Sequence, residues 1–323
     1  SSGTTQFIVD DQGVVDLAIF WEAWGSDDAT MFAATLEMAE PAATGLVSYA
    51  VGFTPSVLMT AGCQSTAAAG TSQRNDAGLC VGFATSSLAI ENVVAVINDD
   101  DASATSDTDK YCQTGECMAL LTVGGGNPSA RARLASFDNT GFTINWLERA
   151  TSNRRYIGLA ISGGQWKAGS YTINTNIATS TATVSGLAFK PKGISLIGAA
   201  VAQSAADTSS TLGRIALGNG SSTSSRRCQS VYSENAEAAE AKINLSIGYS
   251  SVLCHADLSG GRGAEVDIDA MTADGFRIIV DRDTSGVANE WQAYLAFGGK
   301  SPHNFNNYFG VSSSGLIVGE KIR

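Results

Sequence analysis

The sequence predicts an all-β chain: two tandem antiparallel β-sandwich domains of jelly-roll type, related by an internal duplication. Three observations carry this expectation. The second half repeats the first in register. Apolar and polar residues alternate over short runs, as half-buried strands require. Gly, Ser and Asn turns bound these runs at close spacing, the pattern of a sandwich.

The repeat is held by four separated landmarks. Gly52-Phe53-Thr54-Pro55 is answered by Ala188-Phe189-Lys190-Pro191, and Val81-Gly82 by Leu217-Gly218. Asn139-Thr140-Gly141-Phe142 is answered by Ala273-Asp274-Gly275-Phe276. The run from Tyr156 to Gly164 is answered by the run from Trp291 to Gly299, and every offset lies between 134 and 136 residues. That period is far above the roughly 20–50 residues of a solenoid unit, so each repeat should own a core. The map is an N-terminal extension over residues 1–29, repeats over 30–164 and 165–299, and a C-terminal arm over 300–323.

In chain order, Val14-Val15-Asp16-Leu17-Ala18-Ile19-Phe20-Trp21 resembles the closing strand at Tyr156 to Ile161 and reads either as the remnant of an earlier copy or as a docking strand that packs on a neighbour. A Phe-x-Pro corner then precedes an apolar strand, Val57 to Met59 in one repeat and Ile194 to Ile197 in the other. Proline just before a strand removes no interior ladder bond. Tyr171 to Val184 is a Thr-rich strand region. Phe142-Thr143-Ile144-Asn145-Trp146 and Ala264-Glu265-Val266-Asp267-Ile268-Asp269 alternate cleanly and belong to hairpins closed by glycine-containing turns. Ala and Glu between Ser233 and Leu245 favour a turn or two of helix. The last residues carry Phe305, Tyr308 and Phe309 among Asn and Ser, which suits either a docking arm or a segment that lies back on its own domain.

Composition excludes some roles. Hydrophobic residues make up 44% of the 323, but no apolar run approaches the roughly 18–20 residues of a membrane helix. The N-terminus lacks a basic region followed by an apolar core, so no signal peptide is expected. The net charge is −11, and residues 1–110 set fifteen Asp and Glu against Arg74 and Lys110 alone. Such a surface opposes phosphates, so no nucleic-acid partner is expected.

Each chemical motif has a plainer reading. Gly124-Gly125-Gly126 and Gly260-Gly261-Arg262-Gly263 fall at matching places before alternating strands, which makes them hairpin turns, not phosphate loops. Asn98-Asp99-Asp100-Asp101 with Asp107 and Asp109 lacks the glycine and closing glutamate of a calcium loop and reads as a solvated acidic loop, with Glu234, Asn235, Glu237 and Glu240 in the same region of the second repeat. His255 and Asp257 have no nucleophile elbow. Cys112 and Cys117 have a spacing that allows a local disulfide, while Cys63, Cys80 and Cys254 fall opposite apolar residues, so most of the cysteines read as small buried hydrophobes. Arg154-Arg155 and Arg226-Arg227 read as salt-bridge partners. Trp21, Trp24, Trp146 and Trp291 sit in or beside strands, with Trp166 after the first Gly-Gly stop, so the core claims them before a sugar site does. No catalytic, cofactor-binding or metal-binding residue is assigned, and no enzyme activity is expected.

Three stretches carry a family likeness: Val184-Ser185-Gly186-Leu187-Ala188-Phe189-Lys190-Pro191, Ser136-Phe137-Asp138-Asn139-Thr140-Gly141-Phe142-Thr143-Ile144-Asn145-Trp146, and Tyr156-Ile157-Gly158-Leu159-Ala160. Together they resemble a tandem-repeat type among structural proteins of tailed bacteriophages and prophages, over residues 30–164 and 165–299. The second repeat departs at Met271-Thr272-Ala273-Asp274 and has Val280 where the first has Trp146. The resemblance implies a virion component (decoration, spike or tail appendage) assembled in the host cytoplasm. Its partners would be capsid or tail proteins and further copies of itself. The alternatives are a receptor- or carbohydrate-binding module recognising a host-surface glycan, and a calcium-stabilised adhesion domain.

Overall fold

The computed structural model describes residues 32–64, 76–85, 90–99, 107–122, 128–150, 154–209, 212–234, 243–248, 250–256, 262–284 and 286–298. Every helix-or-strand element among them is a strand. The first half holds β1 (Ala33–Ala39), β2 (Gly45–Ala50), β3 (Val57–Cys63), β4 (Asp76–Ala84), β5 (Glu91–Asp99), β6 (Asp107–Thr114), β7 (Met118–Leu120), β8 (Ala130–Asp138), β9 (Gly141–Glu148) and β10 (Arg155–Ile161). The second holds β11 (Gln165–Ile173), β12 (Thr181–Ser185), β13 (Gly193–Gly198), β14 (Ser204–Ser209), β15 (Leu212–Gly220), β16 (Arg226–Glu234), β17 (Ile243–Gly248), β18 (Leu253–Ala256), β19 (Arg262–Thr272), β20 (Gly275–Arg282) and β21 (Glu290–Gly298).

The sheets of the first half run β1-β10-β3-β4-β5-β6 and β2-β9-β8-β7. Those of the second run β11-β21-β13-β15-β16-β17 and β12-β20-β19-β18. With β14 set aside, the two orders agree strand for strand. Even the irregularities repeat: β8 shifts register against β9 after Arg131 and after Leu134, and β19 against β20 after Glu265 and after Ile268. Bulges of this kind re-aim a strand, so sharing both fixes the same bend in each half.

The order differs from the expected jelly roll. Strands β3 to β6 follow one another in one sheet, β7 to β9 follow one another in the other, and β10 returns between β1 and β3. A return beside the first strand of a meander is a Greek-key feature. A jelly roll joins two Greek keys of eight strands, and its chain alternates between sheets where this one meanders. The helical turn expected from Ser233 is also replaced at both its ends, where Ser233 and Glu234 close β16 and Ile243 opens β17. Residues 235–242 lie outside the described residues.

Two landmarks are glycines because a carbonyl rests on them. A Cβ on Gly82 would stand 2.0 Å from the Cys117 oxygen, and one on Gly218 would stand 1.9 Å from the Val252 oxygen. Likewise Gly141 lies against the Tyr49 oxygen and Gly275 against the Val184 oxygen, each at 1.9 Å from a built Cβ. The sequence pairs are therefore imprints of the same close approach.

Each half buries its own core. The first gathers Met38, Leu58, Leu134, Phe142, Trp146 and Tyr156, among others, and the second Tyr171, Ile194, Leu196, Ile268, Phe276 and Tyr294. Trp146 meets Tyr156 edge-on at 5.4 Å, and Phe276 meets Tyr294 edge-on at 5.2 Å. Where the first half has Trp146 and Gly158, the second has Val280 and Tyr294, so bulk lost on one sheet is supplied from the other. The closing strands also correct the sequence register. Tyr156 pairs with Gly62 and Gln292 pairs with Gly198, so Gln292, not Trp291, holds the place of Tyr156.

Candidate functional site

Period-2 alternation locates the largest built feature. On β5, Val93, Ala95 and Ile97 join the first core, yet Val94 and Val96 on the opposite face are only 0% and 7% exposed. On β21, Tyr294 and Ala296 join the second core, while Ala293 and Leu295 face away and are also fully buried. The two outer faces cover each other, with β11, β15 and β21 against β5, and β15 and β16 against β6. Full burial of a Val or Leu side chain contributes roughly 1.5–3 kcal/mol, so this contact locks the halves together.

The second half also lends the first a strand. After β13 the chain leaves its own sheet, and β14 pairs antiparallel with β6, matching Ser204 to Cys112 and Thr208 to Lys110. Gln203 Nε2 donates to Gln113 Oε1 at 2.8 Å, and the Ala168 amide donates to Thr85 Oγ1 at 3.1 Å. Lys110 lies buried in this contact, its Nζ 3.5 Å from the Ala200 oxygen. Burial, with Arg214 nearby, pushes its pKa down to about 8.

A buried polar chain closes one end of the second core. His255 Nε2 lies 2.8 Å from Glu290 Oε1, and both side chains are fully buried. Glu290 also accepts from Gln292 Nε2 and Thr175 Oγ1, each at 2.8 Å, and Tyr171 donates to Gln292. Burial raises the Glu290 pKa, but His255 and these donors outweigh it and leave the carboxyl below its ordinary value. The arrangement satisfies a buried carboxylate from three sides. Among the described residues it brings no serine to His255, and Asp257 lies outside them. The network therefore acts as a polar clasp between β18 and β21.

A second polar pattern is charge-reversed between the halves. Arg131 bridges Glu116 at 3.0 Å and Glu148 at 2.5 Å, while Tyr111 donates to Glu116 at 2.8 Å. At the matching places, Glu265 accepts from Ser251 and pairs with Arg282 at 2.9 Å, and Arg262 adds a bond at 3.2 Å. In the first half, the bulge after Leu134 is held by Glu91, which accepts from the Leu134 amide at 2.6 Å. In the second, Asp267 accepts from the Ile268 amide at 2.7 Å and pairs with Arg226.

The remaining sequence candidates are placed as follows. Asn98 and Asp99 belong to β5, and Asp107 and Asp109 to β6, with Asp109 fully buried, so they form a hairpin and not a solvated loop. Asp100 and Asp101, both glycine runs as far as Gly261, Glu237, Glu240, Trp21, Trp24 and both terminal segments lie outside the described residues. Among the described residues no three His, Cys, Asp or Glu side chains gather as a metal set. None of the six cysteines is in a disulfide, so Cys112 and Cys117 are not bridged, and all but Cys63 are buried. Trp146 is a core residue, Trp291 is buried on the opposite face of its strand, and Trp166 tilts against Phe297 at 5.6 Å. Arg155 pairs with Glu37, while Arg154 is buried and donates to Ser129.

Sequence reasoning missed the contact between halves. A signal was present: Val93 to Ile97 and Trp291 to Phe297 are nearly unbroken apolar runs, the mark of strands buried on both faces. It also missed an open apolar face. On the outer side of the first half's larger sheet, Ile157, Ala61 and Val81 stand in one row, Leu159 and Met59 in the next. Ile157 is 62% exposed and Leu79, beside that row, 44%. Set against known proteins, this chain matches no family model, no curated protein and no solved structure.

Proposed function

We propose that the chain is a non-enzymatic structural protein that builds part of a particle surface. The sequence resemblance puts that particle in the class of tailed-phage virions, as an external decoration, spike or appendage. The observation that carries the reading is the contact between halves. Two sandwiches bury opposed sheet faces and share a lent strand, which yields rigid mass, while an apolar sheet face stays open for a neighbour. Contiguous exposed apolar surface of this kind marks an interaction site more often than a solvated one. Many weak contacts presented side by side would gain strength by avidity. Polar groups of the Glu290 and Arg131 networks are spent on holding strands together.

The test is the composition of purified particles from the source of the chain. Quantitative mass spectrometry should find the chain in fixed, stoichiometric ratio to the major shell or tail protein through successive density gradients. A chain that washes away from intact particles would overturn the reading.

A further inference from the structure

The second half already shows what covers the face that the first half leaves open. Matched through the strand pairings, Ile157 and Leu159 of β10 hold the places of Ala293 and Leu295 of β21, and Leu79 of β4 holds that of Ile215 of β15. In the second half those three residues are buried, at 0%, 0% and 3%, against β5 and β6 of the first half. The counterparts of β5 and β6 are β16 and β17, which form the far edge of the second half's larger sheet. There Gln229 and Val231, matching Val94 and Val96, are only half-buried. Ile243, Leu245 and Ile247 stand in register with Ser233, Val231 and Gln229. Among the described residues, the chain thus leaves an apolar face open at one end and, at the other, carries the strands that match its cover.

We propose that copies of this chain associate head to tail, the open β10-β3-β4 face of one copy seating on β16 and β17 of the next, in the arrangement that already joins the two halves. The occupant is a second copy because the internal contact provides both surfaces and their relation. Patch-to-patch pairing across a two-fold axis would leave β16 and β17 empty. A heterologous contact of this kind closes into a ring or runs on as a filament. The lent strand is itself repeated in sequence: residues 67–72 read Ala-Ala-Ala-Gly-Thr-Ser against Ser-Ala-Ala-Asp-Thr-Ser at Ser204–Ser209. Those six residues lie outside the described residues, and the interface is defined without them. The inference goes beyond the particle role and does not depend on it.

Sedimentation velocity of two blocked full-length variants decides it. One carries Leu79→Glu and Ile157→Glu on the face; the other carries Gln229→Glu and Val231→Glu on the seat. The unaltered chain should grow in mass with concentration, from 33.3 kDa through two chains to longer species. Each variant alone should stay at one chain with an unchanged circular dichroism spectrum. Their equimolar mixture should form a species of two chains and stop, because one free face meets one free seat. A seat variant that still self-associates would replace head-to-tail by face-to-face pairing, and an unaltered chain that stays single at all concentrations would overturn the contact. Should either variant fail to fold, the concentration series of the unaltered chain still decides. A single chain that is nonetheless stoichiometric in particles would sink this contact and leave the particle role standing.

Discussion

Gly82 and Gly218 each lie under a carbonyl oxygen at about 2 Å from where a Cβ would be. Neither oxygen can retreat, because each belongs to the backbone that opens β7 or β18. Gly82→Ala and Gly218→Ala should each cost about 1–3 kcal/mol or more by overpacking, read as a lowered denaturant midpoint with unchanged slope. Glu290 gives a different expectation. Its depressed carboxyl pKa means that its stabilisation is full above the unfolded value near 4.5 and is lost as pH falls through the folded one. Glu290→Ala leaves His255 without its buried partner and should cost about 3–5 kcal/mol in equilibrium unfolding at neutral pH. Lys110 runs the other way. Its folded pKa, pushed down to about 8 from 10.5, means that the unfolded chain holds the proton more tightly, so stability rises with pH across that window. Lys110→Met should flatten that rise, worth up to about 3 kcal/mol, and raise stability at pH 7. The glycines were legible in the sequence because they recur. The roles of Lys110, His255 and Glu290 were not, since each occurs in one half only and meets its partners across long chain separations.

At the scale of strands, the sequence carries the hairpins and the Phe-x-Pro corners, whose turns are local. The Asp274 carboxylate accepts from the Gly186 and Ala188 amides, and the Thr140 oxygen accepts from the Val51 and Gly52 amides, so each corner is tied to the hairpin turn that was read beside it. The order of strands within sheets was not legible, because it is decided by pairings between residues about a hundred positions apart. That is why the jelly-roll detail failed while the all-β class held. The closing strand shows the same limit more finely. Tyr156 and Trp291 look alike as aromatics, but a shift of one residue turns a side chain to the opposite face, and Trp291 faces the other way. β14 was missed because its small polar residues carry no strong alternation. It joins the halves, so replacing Ser204–Ser209 by a short glycine-serine link should keep the strand content but uncouple the halves. Calorimetry should then resolve two transitions where the unaltered chain gives one.

For the whole molecule, the proposed role is that of a building unit that works through its surfaces. The two halves repeat one strand order, one pair of bulges and one pair of carbonyl-covered glycines, and the first half's face stays open where the second half's is covered. Charge reversal at Arg131 and Glu265 shows that the repeated scaffold tolerates opposite chemistry at one place, provided that the local partners change with it. The most direct measurement is the mass of the purified chain in solution, alone and after mixing with particles from the same source, by light scattering and co-sedimentation. Assemblies larger than one chain should travel with the particles in a saturable ratio. A chain that remains single at every concentration and stays behind when the particles sediment would contradict it.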